Sequence, residues 1–243
     1  MPPTESIRRR CRRVTEAQAL NRRDASAIAR AFLPRHRFGN RASYYYVRSK
    51  LVSDPLYGGV VEILRDGRAP LLDLGCGLGL LAHTLRRAGV DLPYRGVDND
   101  LGKIERARIA ATAAGLRATQ FESMDLSATL PAHQGSVALL DVLQFLPAAA
   151  QERLLDAVLP MLTPGASLVL RTGIDDGSWR ARVTRGVDEF SRWVRWMNAG
   201  PTGYPSREAL SRRFAAAGLN VEFSPLFGRT PFNNWRVVAT RPA

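Results

Sequence analysis

Asp73, Gly75, Gly77 and Gly79 stand at every second position, and three further acids, Asp98, Asp125 and Asp141, recur downstream. Glycines at this spacing accept a tight turn and, lacking Cβ, let a ligand lie against the backbone. The N–H groups that open a following helix would then face that ligand. An acid some 20 residues beyond such a turn can accept hydrogen bonds from both hydroxyls of a ribose, and Asp98 lies 19 residues past Gly79. Types and spacing together point to a nucleoside held at a loop. The dinucleotide fingerprint G-x-G-x-x-G is not met, because its last position is Leu80. A nucleotide site of another kind, or a glycine turn that serves packing only, are the competing readings.

The elements that must position these residues follow from pattern. A first strand over 70–74 is a short apolar run of buried-strand type, and an amphipathic helix over 79–88 follows the glycines until Gly89 stops it. A strand over 94–98 ends in Asp98 with Asn99 beside it, and a helix over 101–114 ends at Gly115. A third strand over 118–121 leads to Met124 and Asp125. The run 137–143 reads as a buried parallel strand with Asp141 at its carboxyl end, where parallel sheets place ligands. A helix over 150–162, a strand over 167–171, a helix over 206–217 and strands over 219–223 and 234–239 complete an alternating pattern. Upstream, helices are expected over 24–32, ended by Pro34, over 41–51, and from Asp54-Pro55 to about 64.

Composition bounds the rest. The 243 residues are 45% hydrophobic and 23% charged, as in a globular protein that needs no disulfides for its core. Cys11 and Cys76 read as free thiols of a reducing compartment, and no apolar run is long enough to span a membrane, so a cytoplasmic location is expected. The Arg8–Arg13 run is followed by no apolar stretch and is not a twin-arginine signal. The net charge of +13 is concentrated: residues 1–50 hold 13 basic and 3 acidic side chains, the remainder 22 and 19. A basic arm over 1–65 is therefore expected, attached to a domain over 66–243, and either solvated or drawn to an acidic partner. His36 and His133 have no liganding neighbours, and no His, Cys or Glu spacing suggests a metal.

The D-x-G-x-G-x-G run from Asp73 to Gly79 resembles motif I of class I S-adenosylmethionine-dependent methyltransferases. From Leu71 to Arg171 the remaining features resemble the same family. These are Asp98, Asp125, the Asp141-Val142-Leu143-Gln144-Phe145-Leu146 run and the Pro164-Gly165-Ala166-Ser167 junction. The resemblance implies a Rossmann-like α/β fold with a seven-stranded sheet in the order 3-2-1-4-5-7-6, the last strand antiparallel. It implies S-adenosyl-L-methionine as cofactor, held by Asp73, Gly75, Cys76, Gly77, Gly79, Asp98, Asn99, Met124, Asp125, Asp141 and Leu143. In the family an acid after the third strand faces the adenine amino group and an apolar neighbour covers the ring, posts matched here by Asp125 and Met124. Family members often carry His where Gln144 stands; an amide can hold a substrate but cannot act as a base. A second resemblance rests on the Tyr44–Leu51 segment, the run 171–184 and the loop 228–235. These are similar to bacterial methyltransferases found with aryl-polyene and related fatty-acid-type synthesis genes. It implies an aromatic or acyl acceptor, free or on an acidic acyl carrier that would suit the basic arm.

Direct displacement at a sulfonium releases a neutral thioether and needs no metal, so alignment is the enzyme's main contribution, worth about 7–11 kcal/mol. A phenol or carbon nucleophile would still lose a proton, for which His83, Tyr44 and Tyr46 are the candidates. The Trp- and Arg-rich stretch over 173–204 is expected to form a helical cap over the acceptor, and the loop 228–235 to touch it. Two alternatives stand beside this reading. One is RNA methylation guided by the basic arm, disfavoured because no N-P-P-Y-type motif follows the fourth strand. The other is a noncatalytic cofactor-binding scaffold.

Overall fold

A computed structural model describes residues 17–34, 36, 38–126, 128–174, 203–227 and 233–243. The arginine run, most of the stretch expected to cap the acceptor, and residues 228–232 lie outside the described residues.

Seven strands form one sheet: β1 (Leu71–Leu74), β2 (Tyr94–Asp98), β3 (Thr119–Ser123), β4 (Ser136–Leu140), β5 (Ser167–Gly173), β6 (Asn220–Pro225) and β7 (Asn234–Thr240). Their order is β3-β2-β1-β4-β5-β7-β6. The first five strands are parallel, and β7 runs antiparallel to both β5 and β6. This is the Rossmann-like seven-stranded order, with β7 the antiparallel strand, that the resemblance implies. Parallel strands need helical crossovers, and the resulting helices cover both faces.

One face is covered by α3 (Leu56–Leu64), α4 (Leu80–Arg87) and α5 (Leu101–Ala113), the other by α6 (Ala148–Val158) and α7 (Arg207–Ala216). Burial explains the strand chemistry: β1 and β5 are buried along their whole length. Two more helices, α1 (Arg22–Ala29) and α2 (Ala42–Ser53), form an outer layer. Ala25, Ile28, Ala29 and Phe32 pack on Val47 and Leu51 and, through Leu80 and Ala110, on α4 and α5. Asn21 caps α1 by accepting from the Asp24 N–H. α3 packs chiefly in the sheet's own core, and its Tyr57 also meets the cluster of α1 and α2.

β4 is shorter than the apolar run suggests. The chain leaves the sheet at Asp141, whose φ of 63° is left-handed, and Leu143–Phe145 continues as a 3-10 turn. Aspartate tolerates this region better than the β-branched residues around it. The helix expected over 150–162 ends at Val158 and tightens into a 3-10 turn that contains Pro160, which has no N–H for the α ladder.

Candidate functional site

β1, β2 and β4 deliver Asp73, Asp98 and Asp141 to the carboxyl edge of the sheet. Gly75, Gly77 and Gly79 all have positive φ, so the turn between β1 and α4 coils as no other residue type readily does. They differ in what surrounds them. A Cβ on Gly79 would lie 2.5 Å from the Phe121 ring and one on Gly75 2.4 Å from Val142, whereas one on Gly77 would meet nothing within 4 Å. Gly75 and Gly79 let the turn pack; Gly77 faces open space.

Asp98 organises that turn. Its Oδ2 accepts the Gly77 N–H at 2.8 Å and its Oδ1 the Asp100 N–H at 2.9 Å. A carboxylate has about four lone-pair sites, so two acceptor sites are left for a ligand. The Met124 N–H donates to the Asp98 carbonyl at 2.9 Å, which ties the loop after β3 to the end of β2. Met124 is half-buried, while Asp125 and Asn99 are exposed beside it. The structure thus lines up Gly77, Asp98, Asn99, Met124 and Asp125 along one edge.

Asp73 has another environment. Its Oδ2 accepts the Tyr94 hydroxyl at 2.6 Å, while Oδ1 is buried with no partner among the described residues. Burial pushes its pKa up to about 7; the Tyr94 hydrogen bond opposes this and the Asp98 charge adds to it. A small cavity of about 40 Å³ adjoins it, lined by α3 and the strand ends: Leu56, Tyr57, Gly75, Cys76, Leu140 and Asp141 are among its walls. Tyr57 roofs this cavity, and burial followed by the Asp54 charge holds its phenol well above the ordinary range, so it is a donor. The Cys76 thiol is likewise pushed up by burial.

Asp141 is held by a network that the residue pattern did not reveal. Arg171, at 6% exposure, donates from Nε to Asp141 Oδ1 at 2.6 Å and from Nη1 to both carboxylate oxygens of Asp54, at 2.7 and 2.5 Å. Lys50 Nζ completes it at 2.7 Å from Asp54 Oδ2. Burial works against the Arg171 charge, but Asp141 and Asp54 raise its pKa above the ordinary value. On the neighbouring strand Arg236 donates to the Gly59 carbonyl at 2.9 Å. Two buried arginines from β5 and β7 therefore anchor α3 over the edge of the sheet. The available signal was a cation closing the apolar run of β5, since a buried guanidinium requires partners. Asp54 signalled only a helix start, a task it also performs by accepting the Leu56 N–H at 3.0 Å.

Other candidates fall elsewhere. Leu143 is fully buried in one cluster with Leu74, Leu139 and Leu170, so its side chain packs in the core of the sheet. Tyr44 and Tyr46, two residues apart on α2, lie on different faces. Tyr46 is 56% exposed and within electrostatic reach of Tyr57, whereas Tyr44 lines a separate cleft against α1. His83 is 3% exposed and packs on Phe32 with ring centroids 5.2 Å apart, in the seam between α4 and the outer layer. It does not line the Asp73 cavity. Burial pushes its pKa down to about 4 from 6.5. A base with a depressed folded pKa gives stability that is complete above 6.5 and is lost as pH falls towards the folded value. His83→Leu should retain activity and lose less stability than the parent between pH 7 and pH 5 in urea unfolding. Equal losses would place a charged, solvated imidazole there instead.

Residues 71–165 match a family described as a methyltransferase domain. That match covers the glycine turn and the strands β1 to β4 with their acids. A ubiquinone biosynthesis O-methyltransferase from Psychrobacter cryohalolentis is 29% identical over 106 residues, 42% of this chain and 40% of that protein. The chain thus matches less than half the length of that curated relative. Among solved structures, the magnesium protoporphyrin IX methyltransferase of Synechocystis PCC 6803, with bound SAH, aligns with a TM-score of 0.61 at 16% identity. That alignment covers 88% of this chain and 93% of the other. The cyclase SpnF aligns with a TM-score of 0.60 at 18% identity over 91% and 92% of the two chains. At such identities these structures show a shared fold, and a methyltransferase and a cyclase on that one fold carry different reactions. Among the described residues no cluster of His, Cys, Asp or Glu forms a metal site, and no helix is long and apolar enough to cross a membrane.

Proposed function

We propose that the chain transfers a methyl group from S-adenosylmethionine to an oxygen of a small aromatic or carrier-bound acceptor. The observation that carries this reading is Asp98, which braces the Gly77 N–H while keeping acceptor capacity beside a glycine that faces open space. Asp98 and Asn99 would take the ribose hydroxyls, and Met124 and Asp125 the adenine. The cavity at Asp73, too small for a nucleoside, suits the ammonium end of the methionine part. Its buried, unpartnered Oδ1 is the acceptor such a group requires. S-adenosylmethionine, when bound, supplies the methyl group on a sulfonium.

The protein's own contribution is alignment. Tyr57 and Leu56 close the cavity from above, Asp141 is immobilised by Arg171, and α2 presents Tyr46 to the acceptor side. In this reading α3, fixed where Asp54 joins Arg171, covers the cofactor side of the sheet edge, while most of the stretch 173–204 read from the sequence as an acceptor cap lies outside the described residues. The hydroxyl acceptor is supported by the name of the curated relative, an O-methyltransferase.

The test is labelled methyl transfer to pools of phenols, aromatic acids, acyl carriers and RNA, run beside calorimetric binding of S-adenosylhomocysteine. Labelled phenolic ether supports the proposal; labelled RNA favours the alternative acceptor. Binding without transfer to any pool would leave a cofactor-holding scaffold. Asp73 adds a pH signature. An acid with its pKa near 7 gains charge as pH rises from 5.5 to 7.5, and the charged form attracts the ammonium. Affinity should therefore rise roughly tenfold over that interval, an order set by one ionisation, and Asp73→Asn should flatten the profile. A flat profile in the parent would remove Asp73 from the pocket.

A further inference from the structure

We propose that the cleft between α1 and α2 is a second binding site, for a phosphorylated small molecule with an aromatic or other apolar body. The cleft measures about 480 Å³ and is lined by Ser26, Arg30, Leu33, Arg41, Tyr44, Tyr45 and Arg48. That volume falls within the range of small-molecule sites. It shares no lining residue with the cavity at Asp73, and it is independent of the cofactor reading.

Its charge is unbalanced. Three guanidiniums face one concavity, and among the described residues its lining has no carboxylate and none of the three is in an ion pair. The carboxylate of α1, Asp24, is paired instead with Arg87 of α4 at 2.7 Å. Like charges gathered in one concavity repel and favour an anion there. Arg48 is already oriented, since its Nε donates to Ser26 Oγ at 3.1 Å, which leaves its terminal nitrogens for a ligand. The planar fork of arginine matches phosphate oxygens, and charge-assisted bonds of this kind are the strong ones.

The walls specify the rest of the ligand. Tyr44 and Tyr45 meet edge to face at 5.1 Å. Tyr45 is 59% and Leu33 42% exposed, so apolar surface stays in water next to the cations. A phosphate dianion satisfies the guanidiniums and the hydroxyls of Ser26 and Tyr44, and an attached ring covers Leu33 and Tyr45.

The test uses the full chain without cofactor and phenyl phosphate as the probe, in calorimetry at low ionic strength. Phenyl phosphate should bind at least tenfold more tightly than inorganic phosphate, phenol or benzoate. Arg41→Ala and Arg30→Gln, both at exposed positions, should each weaken it about tenfold, the scale of one charge-assisted bond, while S-adenosylhomocysteine binding is unchanged. Affinity unaltered in both variants, or benzoate binding equally well, overturns the proposal. So does binding of RNA or of phosphatidylglycerol vesicles without binding of phenyl phosphate, which would make this face a macromolecular surface.

Discussion

Asp98→Ala should weaken S-adenosylhomocysteine binding by about 100-fold and abolish methyl transfer while the fold persists. The carboxylate has two tasks in this structure, accepting the Gly77 and Asp100 N–H groups and retaining acceptor sites over open space. Hydrogen bonds to a charged group contribute about 1.5–3 kcal/mol each. Losing two to a ribose costs about 3 kcal/mol or more, and tenfold in affinity corresponds to about 1.4 kcal/mol. The turn also loses its brace, so the alanine variant should bind more weakly than the loss of ribose contacts requires. Asp98→Asn separates the two effects. One amide oxygen can still accept, but an NH2 group then confronts the Gly77 N–H. Calorimetry should rank parent, asparagine and alanine in descending affinity. Parent-like affinity in the alanine variant, with circular dichroism unchanged, would remove the nucleoside from this edge.

Arg171→Met should produce the largest loss of stability of any single change in the site. Removing one partner of a buried ion pair leaves the others uncompensated and costs about 3–5 kcal/mol. The lower end applies here because Asp141 keeps 30% of its side-chain exposure. About 3 kcal/mol corresponds to a fall of roughly 10 °C in Tm for a domain of this size. The pH dependence identifies the cause. Burial raises the Asp54 pKa, but the charges of Arg171 and Lys50 outweigh it and hold the carboxyl below its ordinary value. A depressed carboxylate stabilises above its unfolded pKa and loses that contribution as pH falls through the folded one. Without Arg171, burial acts against Lys50 alone and the folded pKa of Asp54 climbs, so the acid limb of unfolding should begin at higher pH. Arg171→Lys should recover part of the stability, since one ammonium cannot reproduce the fork between Asp54 and Asp141. An acid limb unmoved in the methionine variant would show that the network does not hold Asp54.

The two residues behind these predictions stood at opposite ends of legibility. Asp98 was readable because its position is local: an acid closes an apolar strand at a fixed interval after a glycine turn, and both features depend on near neighbours in the chain. The alternation of strands and helices was readable for the same reason, whereas the strand order was expected from the resemblance carried by the Asp73–Gly79 turn. Arg171 was not readable as a site residue. Its partner Asp54 lies 117 positions away, and nothing in either neighbourhood specifies that they meet. The burial of Leu143 and His83 was not readable for the same reason. A short motif fixes which residues follow one another, while the packing of a whole layer decides which face is covered. Leu143 turned into the core of the sheet, and His83 was covered by Phe32 from the outer helices.

The amino-acid sequence by itself determined the sheet, its glycine turn and the acids at the strand ends, because these depend on backbone conformation and apolar periodicity. Only the tertiary structure decided that α3 is anchored by buried arginines from β5 and β7, and that three guanidiniums converge between α1 and α2. Pairing and clustering of charges depend on distance through space, which chain order does not contain.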